Sequence, residues 1–167
     1  LQGDSAVAEL FSRLGVETKH DGNSVCLAKK ACDSEPFVCN MVNQPDLAQT
    51  VAVTCCMLGK HFRISGLQTL RIKETDRIAA LQKELGKLGY LIGVEGDDTL
   101  FWNGETGTDM TGTEDIAIDT YEDHRMAMAF APVALKRDSI TINNPEVVSK
   151  SYPSFWEDMK KAGFKLA

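Results

Sequence analysis

A particular order of strands and helices recurs along this chain and restricts the folds that the chain can adopt. Between residues 37 and 102 the hydrophobic pattern predicts strand, helix, strand, helix, strand, strand. A shortened copy follows in residues 114–167, and residues 1–30 match the end of an earlier copy. The sequence therefore predicts an α/β (α+β) fold, with repeated βαβαββ units forming one domain. Because the first unit lacks its front part, we expect further residues of the protein before Leu1.

Local signals place the elements of these units. Strands at 16–20 and 24–28 flank Asp21-Gly22-Asn23, which predicts a tight hairpin. Pro132 predicts a kink or an early end in a helix from Asp123 to about Leu135, because proline removes a backbone hydrogen bond. The other predicted helices are near 4–14, 43–58, 74–88 and 152–162, and the other predicted strands are near 37–42, 60–65, 90–94, 99–102, 116–119 and 139–143, with a last strand from 164 onward.

Composition narrows the class of protein. With 167 residues, 43% hydrophobic and 25% charged, the chain can form a folded domain with a real core. A net charge of −6 argues against a general nucleic-acid binder. Five cysteines without metal-type spacing indicate reduced thiols and a cytoplasmic protein. We find no motif for a metal or a cofactor and therefore expect neither. No apolar run is long enough for a membrane span, so we expect no membrane partner.

The densest cluster of charge is residues 71–77, RIKETDR, with three cations and two carboxylates. A helix that starts at Glu74 would bring Lys73, Glu74 and Arg77 together at its first turn. Helix starts are already positive, so cations gathered there predict an anionic ligand. Glu74 continues the apolar face of Ile78 and Leu81, and a partly buried carboxyl can act as a general acid. The competing interpretation is a solvated surface cluster with weak ion pairs.

Three further segments repeat this plan. Asp123 is placed to cap a helix that carries His124 and Arg125 in its first turns. Asp46 follows a proline at another helix start, and Lys150 precedes the last helix. Each could be an ordinary cap or a surface cation. If the helices pack side by side, however, all these starts meet at one edge, where Asp46 could serve as a general base.

Two long segments carry a resemblance to a known family. Residues 70–78, LRIKETDRI, and residues 123–129, DHRMAMA, resemble signatures of 5-enolpyruvylshikimate-3-phosphate synthases, the 3-phosphoshikimate 1-carboxyvinyltransferases. Pro45-Asp46, Lys150 and the opening LQGD occur in the family's order. The resemblance implies two similar domains of three βαβαββ units each, with substrates bound between them. It covers the C-terminal part of the family only, so the N-terminal domain of the same protein is an expected partner.

The resemblance also implies roles for three catalytic residues. Asp46 is similar to the base that takes the proton of the 5-hydroxyl of shikimate 3-phosphate. Glu74 is similar to the acid that protonates the methylene carbon of phosphoenolpyruvate, and Lys73 to the cation between the two substrates. Carboxyls in different environments can divide acid and base work in this way.

The same resemblance implies five substrate-binding positions. Arg77, Arg125 and Lys150 are similar to the residues that hold the carboxylate and phosphate of phosphoenolpyruvate, with His124 beside them. Thr69 stands where the family pattern has an asparagine that contacts the shikimate moiety. A hydroxyl can hydrogen-bond there but has a shorter reach.

Two other functions remain open at this stage. A UDP-N-acetylglucosamine enolpyruvyl transferase would have the same fold and related chemistry, although His124 and the Lys73-Glu74 pair favour the shikimate enzyme. A catalytically silent binding domain is the second alternative. Without the N-terminal half, we expect this piece of the enzyme not to turn over substrate.

Overall fold

The computed structural model describes residues 3–72, 75–107 and 115–167. The α-helices of this part are α1 Val7–Arg13, α2 Ala48–Met57, α3 Arg77–Lys87, α4 His124–Phe130 and α5 Phe155–Lys161. Its 3₁₀ helices are Gly3–Ala6, Pro45–Leu47, Gln68–Ile72, Ala131–Leu135 and Pro145–Lys150. Its strands are β1 Val16–Asp21, β2 Ser24–Lys29, β3 Phe37–Asn40, β4 Phe62–Ser65, β5 Gly93–Glu95, β6 Thr99–Trp102, β7 Ala117–Ile118 and β8 Thr141–Ile142.

A four-stranded sheet in the order β3-β4-β6-β5 is the centre of the fold. β3 and β4 are parallel and are joined through α2, whereas β4 with β6 and β6 with β5 are antiparallel. Mixed α/β character is thereby confirmed, as is the predicted strand and helix order between Phe37 and Trp102. β1 and β2 form a separate antiparallel hairpin closed by Gly22-Asn23, and β7 and β8 form a parallel pair.

Helix α2 is buried on most of its surface, because it packs against both α3 and α4. Seven of its ten residues are buried, including Val51 and Cys55, which the apolar spacing of residues 43–58 places on an inward face together with Leu58. Leu58, predicted to face inward, is instead exposed just after the helix ends. A helix surrounded by other elements buries several faces, so one amphipathic stripe cannot describe it.

The predicted apolar face of α3 is confirmed, but its start is not. Ile78, Leu81, Leu85 and Leu88 are all buried in the main core. The helix begins at Arg77, three residues after the predicted start, because the Asp76 carboxylate caps it by accepting hydrogen bonds from the backbone N–H groups of residues 78 and 79.

The C-terminal elements differ from their predicted bounds in a similar way. α4 ends at Phe130 and continues as the 3₁₀ helix Ala131–Leu135, which is the early end predicted from Pro132. α5 begins at Phe155 rather than near 152, so Lys150 belongs to the preceding 3₁₀ helix. The strand predicted from 164 onward is wrong, since residues 164–167 form no regular element.

All five cysteines are free thiols, and Cys55 and Cys56 are buried, as their apolar surroundings predict. Burial raises the pKa of the Cys39 thiol to about 11 and that of Cys55 to about 12. In the described residues, none of the helices has both the length and the apolar character that a membrane crossing requires.

Candidate active site

The starts of three helical segments meet around the carboxylate of Asp46. Asp46 lies in the 3₁₀ helix that leads into α2, Arg77 is the first residue of α3, and Arg125 is the second residue of α4. One carboxylate oxygen, Oδ1, accepts a hydrogen bond from Arg77 Nη1 at 2.8 Å. The other, Oδ2, accepts from Arg125 Nη2 at 3.1 Å. The predicted convergence of helix starts therefore holds for these three residues.

Asp123 forms the second half of this network from a buried position. It caps α4 through Oδ1, which accepts from the backbone N–H of Arg125 at 2.9 Å. Oδ2 accepts from Arg77 Nε at 2.6 Å and from Gln49 Nε2 at 3.2 Å. Arg77 is thus fixed between the carboxylates of Asp46 and Asp123.

Exposure separates the roles that these groups can play. The Arg77 side chain is 2% exposed and that of Asp123 is fully buried, so they form an internal ion pair. Asp46 and Arg125 keep 31% and 24% of their side-chain surface exposed and can be reached by a ligand. Chemically, the edge of the site combines an accessible carboxylate with an accessible guanidinium, the pair required for accepting a proton beside a bound anion.

Three other predicted site residues flank this network. His124 Nε2 lies 3.1 Å from Ser151 Oγ, and Lys150 Nζ donates to the carbonyl oxygen of Glu122 at 3.3 Å. Lys150 is therefore tied to the turn before α4, although it does not lie at the start of α5. Thr69 is exposed on the 3₁₀ helix Gln68–Ile72.

Lys73 and Glu74 lie outside the described residues, so their predicted roles stay predictions. The structure describes the chain up to Ile72 and again from Thr75. The helix that the sequence predicts from Glu74 begins instead at Arg77. An acid role for Glu74 now depends on the resemblance and no longer on the helical face.

Comparison with known proteins identifies the family. The sequence model of EPSP synthase (3-phosphoshikimate 1-carboxyvinyltransferase) matches residues 1–159. This chain belongs to the EPSP synthase family. A curated 3-phosphoshikimate 1-carboxyvinyltransferase from Bacteroides fragilis is 51% identical over 165 residues, which are 99% of this chain and 40% of the relative. Another from Syntrophobacter fumaroxidans is 34% identical over 96% of this chain and 37% of its own length.

Solved structures agree on the fold of this EPSP synthase family member. An EPSP synthase from Acinetobacter baumannii superimposes with a TM-score of 0.65 at 21% identity, covering 95% of this chain and 39% of that one. The chain thus spans about 40% of the length of the curated relatives and solved structures that it matches.

Two buried polar residues of this EPSP synthase family chain were not identified from its sequence. Gln49 and Glu84 are both fully buried, and both bind groups near the start of α4. A signal for Gln49 was present, because it interrupts the apolar run of α2. Glu84 follows Lys83 and lies three residues before Lys87 on α3, so the sequence indicates a surface residue.

Proposed function

We propose that this chain is part of an enzyme that transfers the enolpyruvyl group of phosphoenolpyruvate to the 5-hydroxyl of shikimate 3-phosphate and releases phosphate. Membership of the EPSP synthase family supports this function. The observation that carries it is the contact of the Asp46 carboxylate with Arg77 and Arg125, on elements far apart in sequence. That contact supports the proposal, because a carboxylate that can accept a proton lies directly beside a partly exposed guanidinium that can bind an anion.

The proposed chemistry assigns a separate task to each charged group. Glu74 protonates the methylene carbon of phosphoenolpyruvate, which leaves positive character on the neighbouring carbon. The 5-hydroxyl attacks that carbon and gives its proton to Asp46. The adduct must then lose a proton and phosphate to restore the double bond. Lys73 and Arg125 stabilise the negative charge of the reacting phosphate and carboxylate groups.

In this proposal, Asp46 and the anionic substrate compete for the guanidinium of Arg125. Its guanidinium holds Asp46 through the side chain and also through the backbone carbonyl, at 3.2 Å. An incoming phosphate or carboxylate competes for the exposed edge of the same guanidinium. Arg77 is buried between two carboxylates, so its first role is to hold Asp46 in place. Contact of Arg77 with bound phosphoenolpyruvate remains part of the proposal. His124, Lys150 and Thr69 complete the proposed binding surface.

The wider context is also a proposal. We propose that the chain consists of three units, in residues 1–30, 37–102 and 114–167. We also propose a cytoplasmic location, which the five free thiols support. An N-terminal domain of the same protein is the proposed partner, supported by the 40% coverage of the Bacteroides fragilis relative. The substrates would then bind between the two parts.

Kinetics of a complete protein that carries this chain test the function. The wild type should release phosphate from phosphoenolpyruvate only when shikimate 3-phosphate is added, and UDP-N-acetylglucosamine should not replace it. Asp46→Asn and Glu74→Gln should lower kcat far more than they raise KM, because each removes a proton transfer. Transfer to the nucleotide sugar, or no transfer at all, would contradict the proposal.

A further inference from the structure

Helix α3 makes a second polar contact with the segment that leads into α4, two turns after Arg77. The carboxylate of Glu84 is fully buried. It accepts a hydrogen bond from the Tyr121 hydroxyl at 2.6 Å and from the backbone N–H of Asp119 at 3.0 Å. Lys87 Nζ lies 2.6 Å from the same carboxylate. A buried carboxylate is costly unless it is paired, and here its partners satisfy both oxygens.

The segment that Glu84 holds has an unusual backbone. Tyr121 and Glu122 have φ values of 54° and 57°, in the left-handed region that side-chain-bearing residues rarely adopt. Two such residues in succession persist only where the surroundings enforce them. The Tyr121 ring is also covered by Lys83, whose Nζ lies 5.7 Å from the ring centroid. Side chains of α3 therefore contact both the hydroxyl and the ring of Tyr121.

This strained turn leads directly into the candidate active site. Asp123 follows it and binds Arg77, and His124 and Arg125 come next. The carbonyl oxygen of Glu122 accepts the hydrogen bond from Lys150. A change of backbone conformation at the turn would therefore move the cap of α4 and the proposed anion-binding side chains together.

We propose that Glu84 is a positioning residue for phosphoenolpyruvate binding, because it holds the Tyr121–Glu122 turn in the conformation that aligns Asp123, Arg125 and Lys150. The inference rests on the function proposed above. Within the described part of the chain, the side-chain partners of Glu84 are Tyr121 and Lys87, so Glu84 acts on the proposed binding residues through Tyr121 and the backbone of Asp119.

A carboxylate suits this position better than a neutral amide. Burial and the hydrogen bond to Glu84 raise the pKa of Tyr121 well above its usual range, so its hydroxyl stays a donor. Both oxygens of Glu84 accept hydrogen bonds from the turn segment. A glutamine would remove the charge that pairs with Lys87 and would leave one oxygen, which cannot accept from the Tyr121 hydroxyl and the backbone N–H of Asp119 as the two oxygens of the carboxylate do.

The test compares Glu84→Gln and Tyr121→Phe with Leu85→Ala in the complete protein. Leu85 is the next residue of α3 and is fully buried in the core, so its truncation lowers stability without removing a polar contact to the turn. Steady-state kinetics give KM for phosphoenolpyruvate and kcat separately, at a temperature where melting curves show each variant folded. Hydrogen–deuterium exchange of residues 119–126 reports on the turn without any substrate.

Both polar variants should raise KM for phosphoenolpyruvate about tenfold, the equivalent of one hydrogen bond to a charged group, with a smaller change in kcat. They should also speed exchange in residues 119–126. The double variant should be no worse than the poorer single one, because both residues act through the same contact. Leu85→Ala should lower Tm and leave KM and the exchange of the turn unchanged.

The outcomes separate this inference from the proposed function. If the wild type is inactive but hydrogen–deuterium exchange of the turn is faster in Glu84→Gln, the proposed function is contradicted. The claim that Glu84 holds the Tyr121–Glu122 turn is then still supported. An active wild type whose Glu84→Gln and Tyr121→Phe variants keep normal KM and normal exchange would overturn the positioning role. If Glu84→Gln fails to fold, Tyr121→Phe decides alone, since it removes a single hydroxyl.

Discussion

Arg77 Nε donates to Asp123 Oδ2 across 2.6 Å, and both side chains are almost completely withdrawn from water. Arg77 also holds Asp46, so one guanidinium joins the start of α3 to the starts of α2 and α4. This relationship makes the site a structural part of the domain as well as a candidate for its chemistry.

Removing Arg77 should therefore destabilise the protein. Arg77→Met leaves the Asp123 carboxylate buried without its main counter-charge, and such a loss typically costs about 3–5 kcal/mol. Denaturant unfolding measures the change. Arg71→Met is the matched control, because Arg71 pairs with Asp76 at a partly exposed position and its loss should cost at most about 1 kcal/mol. If both variants lose the same free energy of unfolding, the buried ion pair of Arg77 contributes no more to stability than the partly exposed pair of Arg71.

Arg125→Ala should mainly weaken phosphoenolpyruvate binding. The exposed edge of this guanidinium is the proposed anion contact, so its loss should raise KM about tenfold or more, as expected for a hydrogen bond to a charged group. Steady-state kinetics of the complete protein measure the effect. Arg63→Ala serves as the control, since Arg63 pairs with Glu95 on an exposed part of the sheet. An unchanged KM in Arg125→Ala would remove Arg125 from the proposed binding surface.

Two glycines should respond oppositely to the same substitution. Gly86 lies in α3 with open space around it, so Gly86→Ala should stabilise the protein by about 0.5–1 kcal/mol through helix propensity. Gly66 has a φ of +79°, and an added Cβ would lie 2.5 Å from Asn40 Oδ1 and 2.6 Å from the Val42 backbone nitrogen. Gly66→Ala should therefore destabilise the protein. Melting curves of both variants test the pair, and a shift of the same sign in both would contradict the expectation.

Acid should weaken the contribution of Asp158 to stability. Hydrogen bonds from Lys161, Tyr152 and Ser154 lower the pKa of Asp158 from 3.8 to about 2 in the folded protein. The folded state binds this proton less tightly than the unfolded state, so the stabilisation is present above pH 3.8 and is lost as the pH falls toward 2. Urea unfolding of the wild type and Asp158→Asn should differ at pH 5 and converge toward pH 2. A difference that stays constant with pH would contradict this account.

The sequence by itself determined the elements whose causes are local. The apolar spacing of Ile78, Leu81 and Leu85 specifies one face of α3, and the Asp123 cap and the Pro132 break act within a few residues of themselves. The start of α3 also has a local cause, since Asp76 is a strong capping residue, but the apolar pattern continues upstream of it and predicts a start at Glu74.

Only the tertiary structure decided which charged groups meet. Arg77 is 31 residues from Asp46 and 46 from Asp123, and Arg125 is 79 residues from Asp46, so their pairing depends on how α2, α3 and α4 pack. The burial of Glu84 likewise depends on the remote segment that covers it. Hydrophobic periodicity reports which face of an element leaves water, but the partner of a polar group is set by the surface that packing brings opposite it.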